Sequence, residues 1–143
     1  MYDVYLAGPF FCKKEVEYIK QCERILRDRG FHVFSPREHF IENGDILPNH
    51  IWGKKVFEMD KKAIEQSKYF VTVYHGMYSD SGTAWESGYA YAIGKPVMIL
   101  CPDDMSIGSV MIMNGAHCIC YIDELKTFDF EEFPMKVLPI EQK

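Results

Sequence analysis

Asp80 and Glu86 stand six residues apart in the stretch Asp80-Ser81-Gly82-Thr83-Ala84-Trp85-Glu86-Ser87-Gly88, where a loop turns into a helix. A carboxylate in the first turn of a helix faces unpaired backbone N–H groups and the positive end of the helix dipole, which hold it ionised. Such a group can serve as a nucleophile or stabilise a cation. The same residues also fit a purely structural role. Thr83-Ala84-Trp85-Glu86 matches a capping box in which Glu86 bonds back to the Thr83 amide and Asp80 is an ordinary turn residue. On this stretch alone the two roles stand level. Asp60 is a third acidic candidate, three residues from Phe57 and four from Ile64, at the edge of an apolar helical stripe. An unpaired carboxylate is costly there; the alternative is a solvated position beside Lys61 and Lys62.

Three carboxylates near strand ends, with no His/Cys cluster at metal-ligand spacing and no phosphate-cradling glycine loop, point to acid–base or nucleophilic work on a sugar. In retaining glycoside chemistry one carboxylate attacks the anomeric carbon and a second group protonates the leaving atom. Phe10-Phe11, in the first loop, suits a flat base better than a phosphate; its plain alternative is a hydrophobic plug over the end of the sheet.

These residues must be positioned by alternating strands and helices. Tyr2 to Ala7 reads as a strand ending in Gly8-Pro9. Residues 13 to 29 read as a helix with Val16, Ile19, Cys22, Ile25 and Leu26 on one face and a stop at Gly30. A strand over 31–34 leads into a polar loop over 35–50, long enough to be functional. A second helix over 51–66 carries Trp52, Val56, Met59 and Ala63 as its buried stripe. Strands follow at 69–74, 97–101 and 117–122, with a short helix over 105–114 and a mixed tail in which Phe128, Phe130 and Phe133 recur. Five strands with helices between them predict a parallel sheet covered on both faces. Ligands in such folds bind outside the carboxyl ends of the strands, which selects 8–11, 35–39, 75–86 and 102–109. Asp80 and Glu86 fall inside that region.

The totals narrow the function. The 143 residues make one domain, able to bury roughly 68–70% of its unfolded surface. A net charge of −5 without a basic run gives no footprint for nucleic acid. Neither a signal segment nor a membrane span is legible. Five cysteines without C-x-x-C read as reduced, buried thiols of a cytoplasmic protein. Ten Phe, nine Tyr and two Trp are many for one small core, so some are expected at a site or an interface.

The chain resembles the nucleoside 2-deoxyribosyltransferases over nearly its whole length. The resemblance is carried by Tyr5-Leu6-Ala7-Gly8-Pro9-Phe10-Phe11, by Ser35-Pro36-Arg37-Glu38, by the pair Trp52 and Asp60, and by Asp80 to Gly88. It implies a flavodoxin-like fold with a five-stranded parallel sheet. It implies that Glu86 attacks C1′ of a deoxynucleoside, that Tyr5 holds Glu86, and that Asp60 and Asp80 bind the base, one of them handling its proton. Phe10, Phe11 and Trp52 would wall the base pocket, with Gly8, Arg37 and Glu38 in the matching substrate-binding segments. It further implies base exchange with retention through a deoxyribosyl-Glu86 ester, no cofactor, a place in deoxynucleoside salvage, and a dimer-based homo-oligomer, up to a hexamer, with shared sites.

One departure stands out. The family usually places an Asn two residues before a Met after the fourth strand, to contact the sugar across the subunit interface. Here Ser109-Val110-Met111 holds that place, and Asn114 lies five residues beyond Ser109. Two rivals remain: a 2′-deoxynucleoside 5′-monophosphate N-glycosidase, which would need Lys13, Lys14 or Arg37 for a phosphate, and a non-enzymatic nucleotide- or flavin-binding module.

Overall fold

A computed structural model describes residues 1–77 and 80–143. Positions 78 and 79 of the strand-end segment 75–86 lie outside the described residues. The order is β1 (Tyr2–Ala7), α1 (Lys13–Asp28), β2 (Val33–Phe34), a 3-10 turn (Pro36–Glu38), α2 (Asn49–Glu65), β3 (Ser67–Val73), α3 (Ser81–Ala92), β4 (Val97–Cys101), β5 (Ile107–Gly108), α4 (Val110–Asn114), β6 (Cys118–Tyr121), a 3-10 turn (Ile122–Lys126) and β7 (Glu141–Gln142).

Five strands pair in parallel in the order β2-β1-β3-β4-β6. This is the flavodoxin-like doubly wound order, and the strand direction of travel reverses between β1 and β3, where a crevice opens at the carboxyl ends. The period-2 alternation of each strand sorts the core into two layers. Val4, Leu6, Val71, Val73, Met98 and Leu100 face Ile19, Cys22 and Leu26 of α1, with Phe128 and Phe130 of the tail. Tyr5, Ala7, Phe34, Phe70, Val97 and Ile99 face Ala63 and Ile64 of α2 and Ala90 of α3.

Several sequence expectations are corrected in detail. The strand expected over 31–34 is only Val33–Phe34. The helix expected over 105–114 is a two-residue strand, β5, followed by the five-residue α4. The tail supplies β7, which pairs in parallel with β5 as a second, two-stranded sheet. All five cysteines are free, but Cys12 is exposed, not buried, because it caps α1 on the loop side. Among the described residues no helix is long and apolar enough to cross a membrane.

Candidate active site

The site is built where β1 gives way to α1. Gly8 turns the chain at φ +145°, and a Cβ there would lie 2.7 Å from Cδ1 of Ile19 and 3.2 Å from the Val73 carbonyl oxygen. Only glycine fits both the turn and the packing. Beyond it, the backbone N–H groups of Phe11 and Cys12 donate to the Glu15 carboxylate at 2.9 and 3.2 Å, fixing the loop to the start of α1. Phe10 and Phe11 project from that loop, their rings 6.1 Å apart.

The start of α3 differs from both sequence expectations. Asp80, not Thr83, is the N-cap: its carboxylate accepts from the Thr83 N–H at 3.0 Å and from the Thr83 hydroxyl at 3.1 Å. Glu86 therefore sits in the second turn. It neither closes a capping box nor meets the free N–H groups of the helix end. Its Oε2 instead accepts the hydroxyl of Tyr5, a fully buried residue of β1. The expectation that the helix end holds Glu86 ionised is overturned as well. Burial pushes its carboxyl up to about 7; the Tyr5 hydrogen bond pulls it down, and the charges of Asp60 and Asp80 push it up. Tyr5 is raised well above the ordinary phenol value, by burial first and by Glu86 and Asp60 next.

Asp60 lies across from Glu86 on α2. Burial raises its carboxyl to about 6, and its Oδ1 is shielded from solvent with no hydrogen-bond partner among the described residues. Trp52, Val56 and Asp60 recur at the four-residue spacing of one helix face. This face walls two cavities. One, of ≈ 390 Å³, lies between α2 and α3 and also takes in Phe57, Trp85 and Glu86. The other, of ≈ 550 Å³, also takes in Phe10, Phe11, Arg37, His39 and Phe40. The buried stripe expected on α2 is thus corrected: Ala63 and Ile64 are in the core, but Trp52 is 44% exposed and belongs to the cavity wall.

The remaining candidates are placed as follows. Arg37 lines the larger cavity, but its guanidinium is taken by Glu23, donating from Nε at 2.7 Å and from Nη2, and the Ser35 hydroxyl donates to the same buried carboxylate at 2.7 Å. Glu38 lines neither of these cavities and is held in a fork by Arg27 at 2.9 and 2.8 Å. Ser109, Met111 and Asn114 also line neither. The Ser109 N–H donates to the Tyr74 hydroxyl at 2.8 Å, and Asn114 donates to the Val110 carbonyl and to Gln142 at 2.8 and 2.7 Å. Met111 is 81% exposed.

Sequence reasoning missed Trp85, Phe57 and His39 as wall residues. Trp85 carried a signal, since it stands beside Glu86; its ring packs edge-on against Phe57 at 5.1 Å and stacks on Tyr89 at 5.1 Å. His39 carried only its place in the strand-end segment 35–39; its position on the wall depends on a stack with Phe34.

The arrangement offers a buried carboxyl held by a phenol, a second carboxyl with an unpartnered oxygen, and flat aromatic walls. The family model of nucleoside 2-deoxyribosyltransferase matches residues 4–134. A nucleoside deoxyribosyltransferase of Lactobacillus johnsonii is 31% identical over 91 residues, a match covering 62% of this chain and only 61% of that relative's length. The solved structure of a 2-deoxyribosyltransferase from Bacillus psychrosaccharolyticus superposes with a TM-score of 0.81 at 33% identity, covering 95% of this chain and 98% of that one. A CMP N-glycosidase of Clostridium botulinum shares the fold, with a TM-score of 0.60 at 21% identity over 87% of this chain and 93% of its own. With the match running from β1 through both carboxylate-bearing helices to residue 134, the chain belongs to the nucleoside 2-deoxyribosyltransferase family.

Proposed function

We propose that this protein exchanges the base of 2′-deoxynucleosides by double displacement. The observation that carries this reading is the Tyr5–Glu86 hydrogen bond beside a cavity that Asp60 shares. Glu86 attacks C1′, the C1′–N bond breaks, and a deoxyribosyl-Glu86 ester forms; an incoming base then displaces Glu86. Two inversions give net retention. Because the group transferred has no 2′-hydroxyl, the glycosidic bond is easier to break and no partner for that hydroxyl is needed.

Asp60 and Glu86 act as a pair holding one proton between about pH 6 and 7. That proton belongs to the pair rather than to either residue. For attack on C1′ it must reach the departing base, and Asp60, with its unpartnered oxygen in the same cavity, is its carrier. The Tyr5 donor then favours the anion on Glu86. Asp80 adds negative charge near the cation that develops on the sugar while holding the start of α3.

The nucleotide N-glycosidase alternative needs cations free to meet a phosphate. Arg37 is engaged by Glu23, and Lys14 pairs with Asp104 at 2.6 Å. Lys13 has no ion pair among the described residues, so the buried Glu23–Arg37 pair is what favours nucleosides over nucleotides. A homo-oligomer of this chain as the working form is part of the same proposal and rests on family membership. A role in deoxynucleoside salvage is part of the same proposal.

Incubation of the protein with thymidine and adenine tests the reading. Deoxyadenosine and thymine should appear together by chromatography. Thymine with free deoxyribose and no deoxyadenosine would make the protein a hydrolase; neither product, in a folded and colourless preparation, would overturn the assignment, and a yellow one would revive the flavin module.

A further inference from the structure

Tyr5 stands opposite Phe34 of β2 and opposite Phe70 of β3 in the parallel register. Paired positions on neighbouring strands put their side chains on one face, so the three rings form a row across the sheet. The Tyr5 centroid lies 5.4 Å from that of Phe34 and 5.6 Å from that of Phe70, with planes inclined by 15° and 10°. His39 extends the row, its ring 4.0 Å from Phe34 at 13°. Tyr5 and Phe70 are fully buried and Phe34 is nearly so. The Tyr5 hydroxyl sits at the far end of its ring from the backbone, so a small tilt of the ring is magnified at the oxygen that Glu86 depends on.

Resting on the reading of Glu86 as nucleophile, the geometry points to Phe34 as a positioning residue: with Phe70 it clamps the Tyr5 ring between two near-parallel faces and keeps the hydroxyl on the Glu86 carboxylate. Phe34 makes no contact with substrate in this role. His39 is the outer end of the row and lines the ≈ 550 Å³ cavity, so the row runs from the cavity wall to the hydrogen bond at Glu86. The other titratable groups acting on Glu86 are Asp60 from α2 and Asp80 from the cap of α3, while Lys61 lines the same cavity but is paired with Glu65. A substitution at Phe34 alters none of them.

The test follows the Glu86 carboxyl itself in the unliganded protein, by difference infrared titration with Glu86→Gln as the reference. Tyr5→Phe removes the donor and should move the Glu86 midpoint to higher pH, since the lost hydrogen bond favoured the anion. Phe34→Leu should move it in the same direction by a smaller amount, and Phe70→Leu, which opens the other side of the clamp, should do likewise. Phe128→Leu, a comparable aromatic truncation in the opposite core layer, should leave it in place. In the exchange assay Phe34→Leu should lower kcat by about threefold to tenfold, a fraction of a hydrogen bond to a charged group, with KM little changed. A Glu86 midpoint that stays or falls in both Phe34→Leu and Phe70→Leu, or that rises equally in Phe128→Leu, would overturn the clamp. Upward shifts as expected, together with full exchange activity in Glu86→Gln, would leave the clamp standing and remove the nucleophile reading instead.

Discussion

Glu86→Gln should make the protein inactive and, at alkaline pH, more stable. The carboxyl of Glu86 rises from 4.5 to about 7 on folding, chiefly through burial. The folded state thus holds this proton more tightly than the unfolded chain does. Below pH 4.5 both states are protonated and burial of the group carries no charge penalty. As pH climbs through 4.5 toward 7 the unfolded chain ionises first, and stability is lost; above 7 the full penalty is present. A rise of about 2.5 units at 1.36 kcal/mol each corresponds to about 3 kcal/mol. Gln keeps the shape and an acceptor for the Tyr5 hydroxyl but never ionises. Urea unfolding at pH 8 should therefore show Glu86→Gln more stable than the parent by up to about 3 kcal/mol, roughly 10 °C in Tm for a chain of this length. At pH 4 the two should be alike. Base exchange measured between about pH 6 and 7, where the parent is most active, should vanish in the variant. An equal gain at pH 4 and 8, or none at either, would refute the burial of an ionisable carboxylate. Retained exchange in a stabilised variant would refute its use as the nucleophile.

Three further outcomes follow from the same geometry. Exchange activity should trace a bell with its maximum between about pH 6 and 7, where the Asp60–Glu86 pair holds a single proton; an activity flat from pH 5 to 9 would rule out the proton-sharing pair. A 2′-fluoro-arabino nucleoside, whose fluorine slows cation formation, should leave a covalent adduct on Glu86 visible by intact-mass spectrometry, and its absence while base is released would argue for direct displacement. If Ser109 or Asn114 completes the site of a neighbouring copy, mixing Glu86→Ala subunits with subunits carrying Ser109→Ala and Asn114→Ala should restore activity above either parent, whereas mixed oligomers confirmed by native mass spectrometry without any rise would confine catalysis to single subunits.

The parallel sheet was legible because β1 runs into Gly8-Pro9, β4 lies between Pro96 and Pro102 and β3 is rich in β-branched and aromatic residues, and α1 because its stripe repeats over sixteen residues. β5 and β7, at two residues each, are too short to show any period and exist only through one another. The α2 stripe was read as core because an apolar face looks the same whether it meets a sheet or a cavity; only tertiary structure puts Trp52 and Val56 on the wall and Ala63 in the core. At α3 two cap signatures overlap, Asp80 with Thr83 and Thr83 with Glu86. The choice is made by a partner 81 positions away, since Tyr5 takes the Glu86 carboxylate. Glu23 was hidden for a similar reason. Its burial on α1 is tolerated because Ser35 and Arg37 arrive from the far side of β2 to bond it.

Tyr5 belongs to β1, a strand hydrogen-bonded on both edges, and Glu86 to a helix packed on the same sheet. Phe10, Phe11, His39 and Phe40 belong to connecting segments outside that frame. On the proposed reading the bond-forming pair sits in that frame, while the base pocket is walled partly by α2, through Trp52 and Asp60, and partly by the connecting segments. Drift in the connecting segments can change which base is accepted without disturbing the bond-forming pair, because loops tolerate substitution far better than paired strands do. A randomised library confined to 10–11 and 39–45 should accordingly yield many folded variants that differ in base preference, while one confined to β1 should yield few that fold at all.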